Sequence, residues 1–255
     1  MKVDLDKFYT PISIAKKCIS QINLNEYDTI IEPSAGNGSF SNLLNCIAYD
    51  IEPESEKIIK QDFFTISKIE GKHILFIGNP PFGKRSALAK LFIKHCIELN
   101  AETIAFILPN TFNKYSMQNV FPFEWKLKNI LSLDCEYIAD KINYFVPSSF
   151  FVWTKKDCDD LRKKPPKENN DFIFLSRGSR EADFTLNGNN GKVKKIEEVT
   201  NPKSEHYIKV TNPSKIEEIK RNLSNIIWKF YSSVNGGVSW LNQKDIIEQY
   251  GELYC

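Results

Sequence analysis

The sequence predicts an α/β protein with a mostly parallel sheet, followed by a small α+β region. From Thr29 to Trp153, short apolar runs alternate with helix-like segments, which is typical of a parallel sheet covered on both faces. The stretch from Lys155 to Asp171 is charged, contains two successive prolines and lacks apolar periodicity, as surface connections do. We therefore expect a first domain over 1–155, a linker over 156–170 and a smaller region over 171–255.

The predicted elements follow from hydrophobic periodicity. Strands of the first domain are predicted over Thr29 to Glu32, Ile47 to Asp50, His73 to Gly78, Thr103 to Leu108, Ile130 to Cys135 and Phe150 to Trp153. Helices are predicted over Pro11 to Ile22, with Thr10 as the N-cap, and over Ser86 to Leu99. In the second region, strands are predicted over Phe172 to Leu175, Asp183 to Leu186 and Tyr207 to Val210, with a helix from Ser214.

Composition places the chain among soluble globular proteins. Hydrophobic residues make up 42% and charged residues 26% of its 255 residues, and no apolar run is long enough to span a bilayer. The six cysteines have no paired short spacing, and His73, His95 and His206 have neither metal-ligand nor triad spacing, so no metal site is expected. We expect a cytoplasmic protein. Its net charge of +2 leaves the kind of partner open.

The segment from Ile30 to Phe40 is an apolar strand that runs into a small-residue turn and then into a predicted helix start. Such a turn lets backbone amides approach a ligand at the carboxyl edge of an α/β sheet. The third glycine of the dinucleotide fingerprint is missing, which disfavours hydride transfer. Asp50 ends the next strand and is suited to ribose hydroxyls, with a solvated cap of the strand as the alternative. Gln61-Asp62-Phe63-Phe64 offers a carboxylate and two rings to an adenine, with a place in the core as the alternative for the paired Phe residues. These features predict a nucleotide-like cofactor.

The third strand ends in Gly78-Asn79-Pro80-Pro81-Phe82, where two prolines stop strand pairing and present their neighbours rigidly. The lone pair of an exocyclic amine is delocalised into its ring, so the nitrogen is a poor nucleophile until two acceptors hold its N–H groups. The Asn79 side-chain oxygen and the Pro80 carbonyl are candidate acceptors, and Phe82 is a candidate stacking surface. The alternative is that these residues form only a rigid turn.

The motifs occur in the order seen in amino-methyltransferases of the γ arrangement: Tyr9-Thr10-Pro11, the E-P-S-A-G-N-G-S-F turn, Asp50, Asp62-Phe63 and N-P-P-F. From about residue 8 to residue 154 the chain resembles an N6-adenine DNA methyltransferase. The resemblance implies a Rossmann-like class I methyltransferase fold, whose seven-stranded, mostly parallel sheet ends in an antiparallel hairpin formed by Leu127 to Glu136 and Tyr144 to Lys155. It also implies S-adenosyl-L-methionine as the cofactor.

The same resemblance assigns the site residues. The expected cofactor-binding residues are Tyr9, Thr10, Pro11, Glu32, Ser34, Ala35, Gly36, Asn37, Gly38, Phe40, Asp50, Ile51, Asp62, Phe63 and Asn79. The expected catalytic residues are Asn79, Pro80, Pro81 and Phe82. For Phe40 a place in the core is the alternative.

The polymer that carries the target amine is open from sequence alone. DNA is our first expectation and RNA the second. Protein glutamine is a further alternative, because methyltransferases with an N-P-P-[FY] motif modify RNA adenines and the side-chain amide of glutamine as well as DNA. Phe82, Lys84, Phe112 and Tyr115 are the expected substrate contacts. No Pro-Cys pair is present, which excludes cytosine C5 methylation, and the intact Asn79, Pro80 and Phe82 argue against a cofactor-binding scaffold. A partner subunit or a homodimer is compatible with the sequence.

Overall fold

The computed structural model describes residues 9–133, 136–139, 142–164, 169–228 and 240–254. The chain divides into two units, Met1–Lys163 and Lys164–Cys255. Cys135, the last residue of a predicted strand, and residues 165–168 of the predicted linker lie outside the described residues. Within these ranges no helix has the length and apolar character needed to cross a membrane.

The first unit is built on a seven-stranded sheet with the order β3-β2-β1-β4-β5-β9-β6. Its strands are β1 (Thr29–Glu32), β2 (Ile47–Asp50), β3 (Ile59–Lys60), β4 (Ile74–Gly78), β5 (Thr103–Pro109), β6 (Lys126–Leu133) and β9 (Ser148–Thr154). The first five are parallel, whereas β9 runs antiparallel to both β5 and β6. A separate hairpin of β7 (Glu136–Ala139) and β8 (Ile142–Phe145) lies between β6 and β9 in sequence. The predicted fold, with its reversed terminal hairpin, is confirmed.

Helices cover the sheet on both faces. The helices of this unit are α1 (Ile12–Ile19), α2 (Ala87–Glu98) and the short α3 (Tyr115–Gln118). In β4, Ile74 and Phe76 belong to the core cluster that contains α2, and Leu75 and Ile77 belong to the cluster that contains α1. This alternation is the period of two expected of a strand buried on both faces. It explains why the central strands appear in sequence as continuous apolar runs.

Some predicted boundaries are wrong. The first helix begins at Ile12 and its N-cap is Pro11, not Thr10, because Pro11 has an extended ψ of 139°. The helix also ends at Ile19, three residues earlier than predicted. Strand β6 begins at Lys126, four residues before the predicted start, because it pairs along the whole length of β9.

The helix predicted after the small-residue turn is a single 3₁₀ turn, Ser41–Leu43. The Ser41 amide donates a 2.8 Å hydrogen bond to the Glu32 carboxylate, and the Asn42 side chain donates to the Asn37 carbonyl at 3.4 Å. Local bonds of this kind between side chains and backbone compete with the helical ladder. The connection from β1 to β2, residues 33–46, therefore contains only this short turn and is held by polar contacts.

The first half of the predicted linker belongs to the first unit. The Arg162 guanidinium donates to the carbonyls of Pro122 and Trp125 at 2.9 and 2.8 Å and lies 4.9 Å from the centre of the Trp153 ring. The Leu161 amide donates to the Leu127 carbonyl at 2.9 Å. Despite its charged composition, this segment packs against the first unit through Leu161 and Arg162, and it is called the strap below.

In its described residues, the second unit has an antiparallel sheet with the order β10-β13-β11-β12 and two helices on one face. The elements are β10 (Phe172–Leu175), β11 (Phe184–Asn187), β12 (Val193–Lys194), β13 (Glu205–Val210), α4 (Ile216–Asn225) and α5 (Gln243–Tyr254). The predicted helix start at Ser214 lies in a 3₁₀ turn, which Asn212 caps. Helix α5 was not predicted from the sequence. The role of this unit in substrate recognition stays a prediction.

Replacing Arg162 with alanine tests whether the strap is part of the first unit. Arg162→Ala removes two hydrogen bonds from a charged donor and the stacking on Trp153, so we expect the free energy of unfolding to fall by about 1–3 kcal/mol. Chemical denaturation measures the change. Asp159→Ala, at an exposed position of the same segment, is the control and should shift stability by less than about 0.5 kcal/mol. Equal stabilities of the two variants would contradict the packing of the strap against the first unit.

Candidate active site

A cavity of about 290 Å³ lies at the carboxyl ends of β1, β2 and β4. This is where open α/β sheets bind ligands. The predicted site residues that line it are Tyr9, Thr10, Glu32, Ser34, Ala35, Gly36, Asn37, Phe40, Asp50, Ile51, Asp62, Phe63, Asn79 and Pro81. The structure therefore brings the Y-T-P segment, the glycine-rich turn, the two acidic motifs and N-P-P-F to one place.

The glycine-rich turn needs glycine at two positions. Gly36 and Gly38 both have positive φ, at +54° and +85°, a region that other residues adopt only with strain. A Cβ atom on Gly38 would also lie 2.6 Å from the side-chain nitrogen of Asn42. A Cβ atom on Gly36 would lie 3.4 Å from the Tyr9 ring, an ordinary contact, so at this position the positive φ is the constraint.

Asp50 closes the turn onto the end of β2. One of its carboxylate oxygens accepts a 2.7 Å hydrogen bond from the Gly36 amide, and the other accepts a 2.8 Å bond from the Glu52 amide. A carboxylate has about four acceptor positions, so these two bonds leave capacity for ligand hydroxyls. Asp50 thus holds the turn in place and keeps acceptor positions at the cavity.

Glu32 is buried at the end of β1, with only 2% of its surface exposed. Burial raises the pKa of this carboxyl to about 8, although the hydrogen bonds from Ser41 act in the opposite direction. The Asp50 carboxylate adds a smaller upward contribution. The cavity therefore has an acidic group that changes charge near neutral pH.

The other end of the cavity is aromatic. The Phe63 ring stacks on Phe92 with centroids 5.5 Å apart and an interplanar angle of 9°, and Phe64 meets Phe92 edge-on. Asp62 caps this segment by accepting the Phe64 amide at 3.0 Å. The cavity is thus polar around Asp50 and aromatic around Phe63, which suits a ligand with one polar and one flat apolar part.

Asn79 borders the cavity directly after β4. Gly78 precedes it with a φ of +153°, and a Cβ atom there would lie 3.3 Å from the Glu32 side chain. The Asn79 side-chain nitrogen donates a 3.1 Å hydrogen bond to the Thr10 hydroxyl. The Asn79 side chain, whose oxygen is the candidate acceptor for an amine, is therefore held beside the segment before α1.

The remaining predicted site residues do not line the cavity. They are Pro11, Gly38, Pro80, Phe82, Lys84, Phe112 and Tyr115. Phe82 packs partly against the core, and Lys84 is exposed. The Phe112 prediction is wrong, because its side chain is buried against Phe151 in the core and offers no surface to a base.

Several lining residues were missed as site residues. They are Pro33, Ser39, Leu88 and Phe92, whereas Gln61 and Phe64, which also line the cavity, belong to the segment predicted to contact an adenine. Leu88 and Phe92 are one turn apart on α2, a spacing that is typical of a core-facing stripe, and both also pack in the core of this unit. Phe40 meets both alternatives, since it lines the cavity and is buried in the core. In the described part of the chain, no group of three or more His, Cys, Asp and Glu side chains is arranged to hold a metal ion.

The strand order and the reversed hairpin define the Rossmann-like class I methyltransferase fold. Residues 23–158, more than half of the chain, match the EDM2 methyltransferase-like domain, and the chain belongs to this family.

The chain is also similar to parts of longer proteins. It is 28% identical over 170 residues to the type II methyltransferases M.HincII and M.HindII of Haemophilus influenzae, covering 64% of this chain and 31% and 30% of theirs. It is 26% identical over 163 residues to ENHANCED DOWNY MILDEW 2 of Arabidopsis thaliana, covering 54% of this chain and 13% of that protein. The chain thus spans about a third of the type II methyltransferases.

Among solved structures, a protein of Pyrococcus horikoshii described as an RNA methyltransferase matches with a TM-score of 0.47 and 16% identity. The match covers 60% of this chain and 89% of that one.

The raised pKa of Glu32 predicts a dependence of stability on pH. A carboxyl whose pKa is higher in the folded state stabilises the fold fully below its unfolded value of 4.5, and this contribution is lost as pH rises through about 8. Glu32→Gln keeps an acceptor for the Ser41 amide but carries no titrating proton. We expect its stability relative to the wild type to rise, by on the order of 4 kcal/mol, between about pH 5 and about pH 9.

Chemical denaturation at several pH values measures this difference. Glu56→Gln, at an exposed position, is the matched control and should keep the wild-type slope. If Glu32→Gln keeps it too, the folded protein holds Glu32 as an ordinary ionised carboxylate.

Proposed function

We propose that this domain transfers a methyl group from S-adenosyl-L-methionine to the N6 amine of adenine in DNA. The observation that carries the proposal is that Asn79 and the glycine-rich turn line the same cavity. A methyl donor held by the turn and an amine held by Asn79 would then meet without any movement of the sheet. Methyl transfer to an amine needs such alignment more than it needs a strong base.

The residues around the cavity fit this cofactor. Asp50, Phe63 and Phe64 all line the cavity, which supports Asp50 as the proposed contact to the ribose hydroxyls and the two rings as proposed contacts to the adenine. The Ser34 hydroxyl is buried without a hydrogen-bond partner among the described residues, which suits a polar ligand that completes its bonding. When bound, S-adenosyl-L-methionine supplies an electrophilic methyl group on its sulfonium.

Asn79 and Pro80 prepare the target nitrogen. The Asn79 side-chain oxygen and the Pro80 carbonyl each accept one N–H of the exocyclic amine, which draws the lone pair out of the ring and favours a tetrahedral nitrogen. Pro80 and Pro81 fix the backbone, so both acceptors keep their positions. Phe82, Lys84 and Tyr115 remain proposed contacts to the substrate base and its phosphates.

DNA is favoured over other acceptors by the similarity to type II methyltransferases. A base inside a duplex must be flipped out of the stack before Asn79 can reach its amine, at a cost of a few kcal/mol, whereas a single strand avoids this cost. The proposal therefore includes a nucleic-acid partner and predicts activity on single strands at least as easily as on duplexes.

Transfer of radiolabelled methyl tests the proposal. Single-stranded and duplex DNA of the same sequence, RNA and a cell protein extract are offered as acceptors, and labelled products are identified by nucleoside and amino-acid analysis. We expect N6-methyladenine in DNA. Label only in RNA or on protein glutamine would replace the acceptor, and cofactor binding without any label would indicate a scaffold or a missing partner subunit.

Asn79→Ala should separate catalysis from cofactor binding. It removes the acceptor proposed for the target amine, so we expect kcat to fall about 100-fold or more, while calorimetric affinity for the cofactor stays within about threefold. Asn129→Ala is the control. It removes the hydrogen bond that the side chain of Asn129, on β6, donates to the exposed Gln21 side chain, and it should leave kcat and cofactor affinity unchanged. A parallel loss of affinity and kcat in Asn79→Ala would assign Asn79 to the cofactor.

A further inference from the structure

His95 joins helix α2 to the aromatic end of the cavity. Its ring nitrogen Nε2 lies 3.1 Å from the Phe63 main-chain carbonyl oxygen, and its ring meets the Phe63 ring edge-on, with centroids 4.9 Å apart. The Phe64 ring lies 5.6 Å from the same imidazole. Because a carbonyl oxygen only accepts hydrogen bonds, Nε2 must carry the proton of this bond. One side chain therefore contacts both rings of this wall and makes a directed bond to their backbone.

The hydrogen bond connects α2 to a short turn. Phe63–Thr65 is a single 3₁₀ turn, and among the described residues its other hydrogen bonds stay within residues 61–66. The His95 side chain is only 15% exposed, so the bond is largely shielded from water. His95 thus adds a directed contact between the turn and α2 to the packing of their side chains.

The position of this turn affects the shape of the cavity. Leu88, Phe92 and His95 follow one another at spacings of four and three residues, so they share one face of α2. Leu88 and Phe92 line the cavity, and the Phe63 ring stacks on Phe92 at 9° from parallel. A turn displaced from α2 would therefore change the space that is open to a flat ligand group at this end.

We propose that His95 is a positioning residue for cofactor binding, whose hydrogen bond to the Phe63 carbonyl holds the Phe63 and Phe64 rings where the adenine of S-adenosyl-L-methionine binds. This role rests on the proposed function. Without the His95 donor, the Phe63 carbonyl keeps the bond from the Ile66 amide, but that bond lies next to the turn in sequence and does not connect it to α2.

His95→Leu and His95→Gln test the hydrogen bond. Leucine keeps an apolar side chain on this face of α2 but donates no hydrogen bond, whereas glutamine keeps an N–H donor. We expect His95→Leu to lower the calorimetric affinity for S-adenosyl-L-methionine about tenfold, with kcat at saturating cofactor within about threefold. We expect His95→Gln to restore most of the affinity. Unchanged cofactor affinity in His95→Leu would overturn the proposal.

Adenosine shows which end of the cofactor the substitution affects, because it has the ribose and adenine but no methionine part. Its affinity is measured by calorimetric displacement of S-adenosyl-L-methionine. We expect His95→Leu to lower the affinity for adenosine by the same factor as the affinity for S-adenosyl-L-methionine. A loss confined to S-adenosyl-L-methionine would assign the effect to the methionine end and would overturn the proposal.

His73→Leu is the matched control, because it also removes a histidine ring that contacts a carboxylate, Glu102, at 2.7 Å. His73 directly precedes β4, so it lies at the amino end of the strand, whereas the cavity lies at the carboxyl end. This variant should keep both affinities within about threefold. If the two leucine variants lose affinity equally, the effect of His95 is only structural and the proposal fails.

The ¹⁵N NMR signals of the His95 ring provide a readout that does not depend on any ligand. They are assigned by their loss in His95→Leu protein labelled with ¹⁵N-histidine. At alkaline pH, where an imidazole is neutral, we expect the ring proton on Nε2, and a proton on Nδ1 would overturn the proposed hydrogen bond. A wild-type protein that binds the cofactor but methylates no acceptor would contradict the proposed function alone, whereas one that binds no cofactor would overturn both.

Discussion

The parallel pairing of β1 with β2 on one side and with β4 on the other is the constraint on which the site depends. Ile31 lies opposite Ile47 of β2 and opposite Phe76 of β4. Because parallel strands end at the same edge of a sheet, this register brings Asp50 and Asn79 to the glycine-rich turn from distant parts of the chain. A shift of one residue would turn buried side chains to the wrong face, so the register is strongly specified.

The sequence predicted those parts of the structure that local physical chemistry determines. Continuous apolar runs located the central strands, because a strand buried on both faces has few polar positions. Asp50 and Asn79 were predicted because Asp50 ends an apolar strand and Asn79 directly follows one. Tyr9 was assigned to the site only through the resemblance. The order of the motifs then implied the reversed hairpin, which apolar runs alone do not specify.

Features that depend on distant contacts were not predicted. The strap around Arg162 has a linker-like composition, and only its bonds to Pro122 and Trp125 reveal that it is packed. Phe112 lies in a polar loop that suggested a surface position, but the core accepts its ring. Helix α5 had a usable signal, because Asn242 and Asp245 cap each other's amides at its start. The pairing of Thr10 with Asn79 joins positions far apart in sequence, and no local pattern shows it.

The most direct test of a single cavity for both cofactor and target amine is a crystal structure of the protein with S-adenosyl-L-methionine bound. The account predicts ribose hydroxyls within hydrogen-bond distance of the Asp50 carboxylate, adenine beside Phe63, and the sulfonium methyl directed toward Asn79. A cofactor bound outside this cavity, or one whose methyl group points away from Asn79, would contradict it.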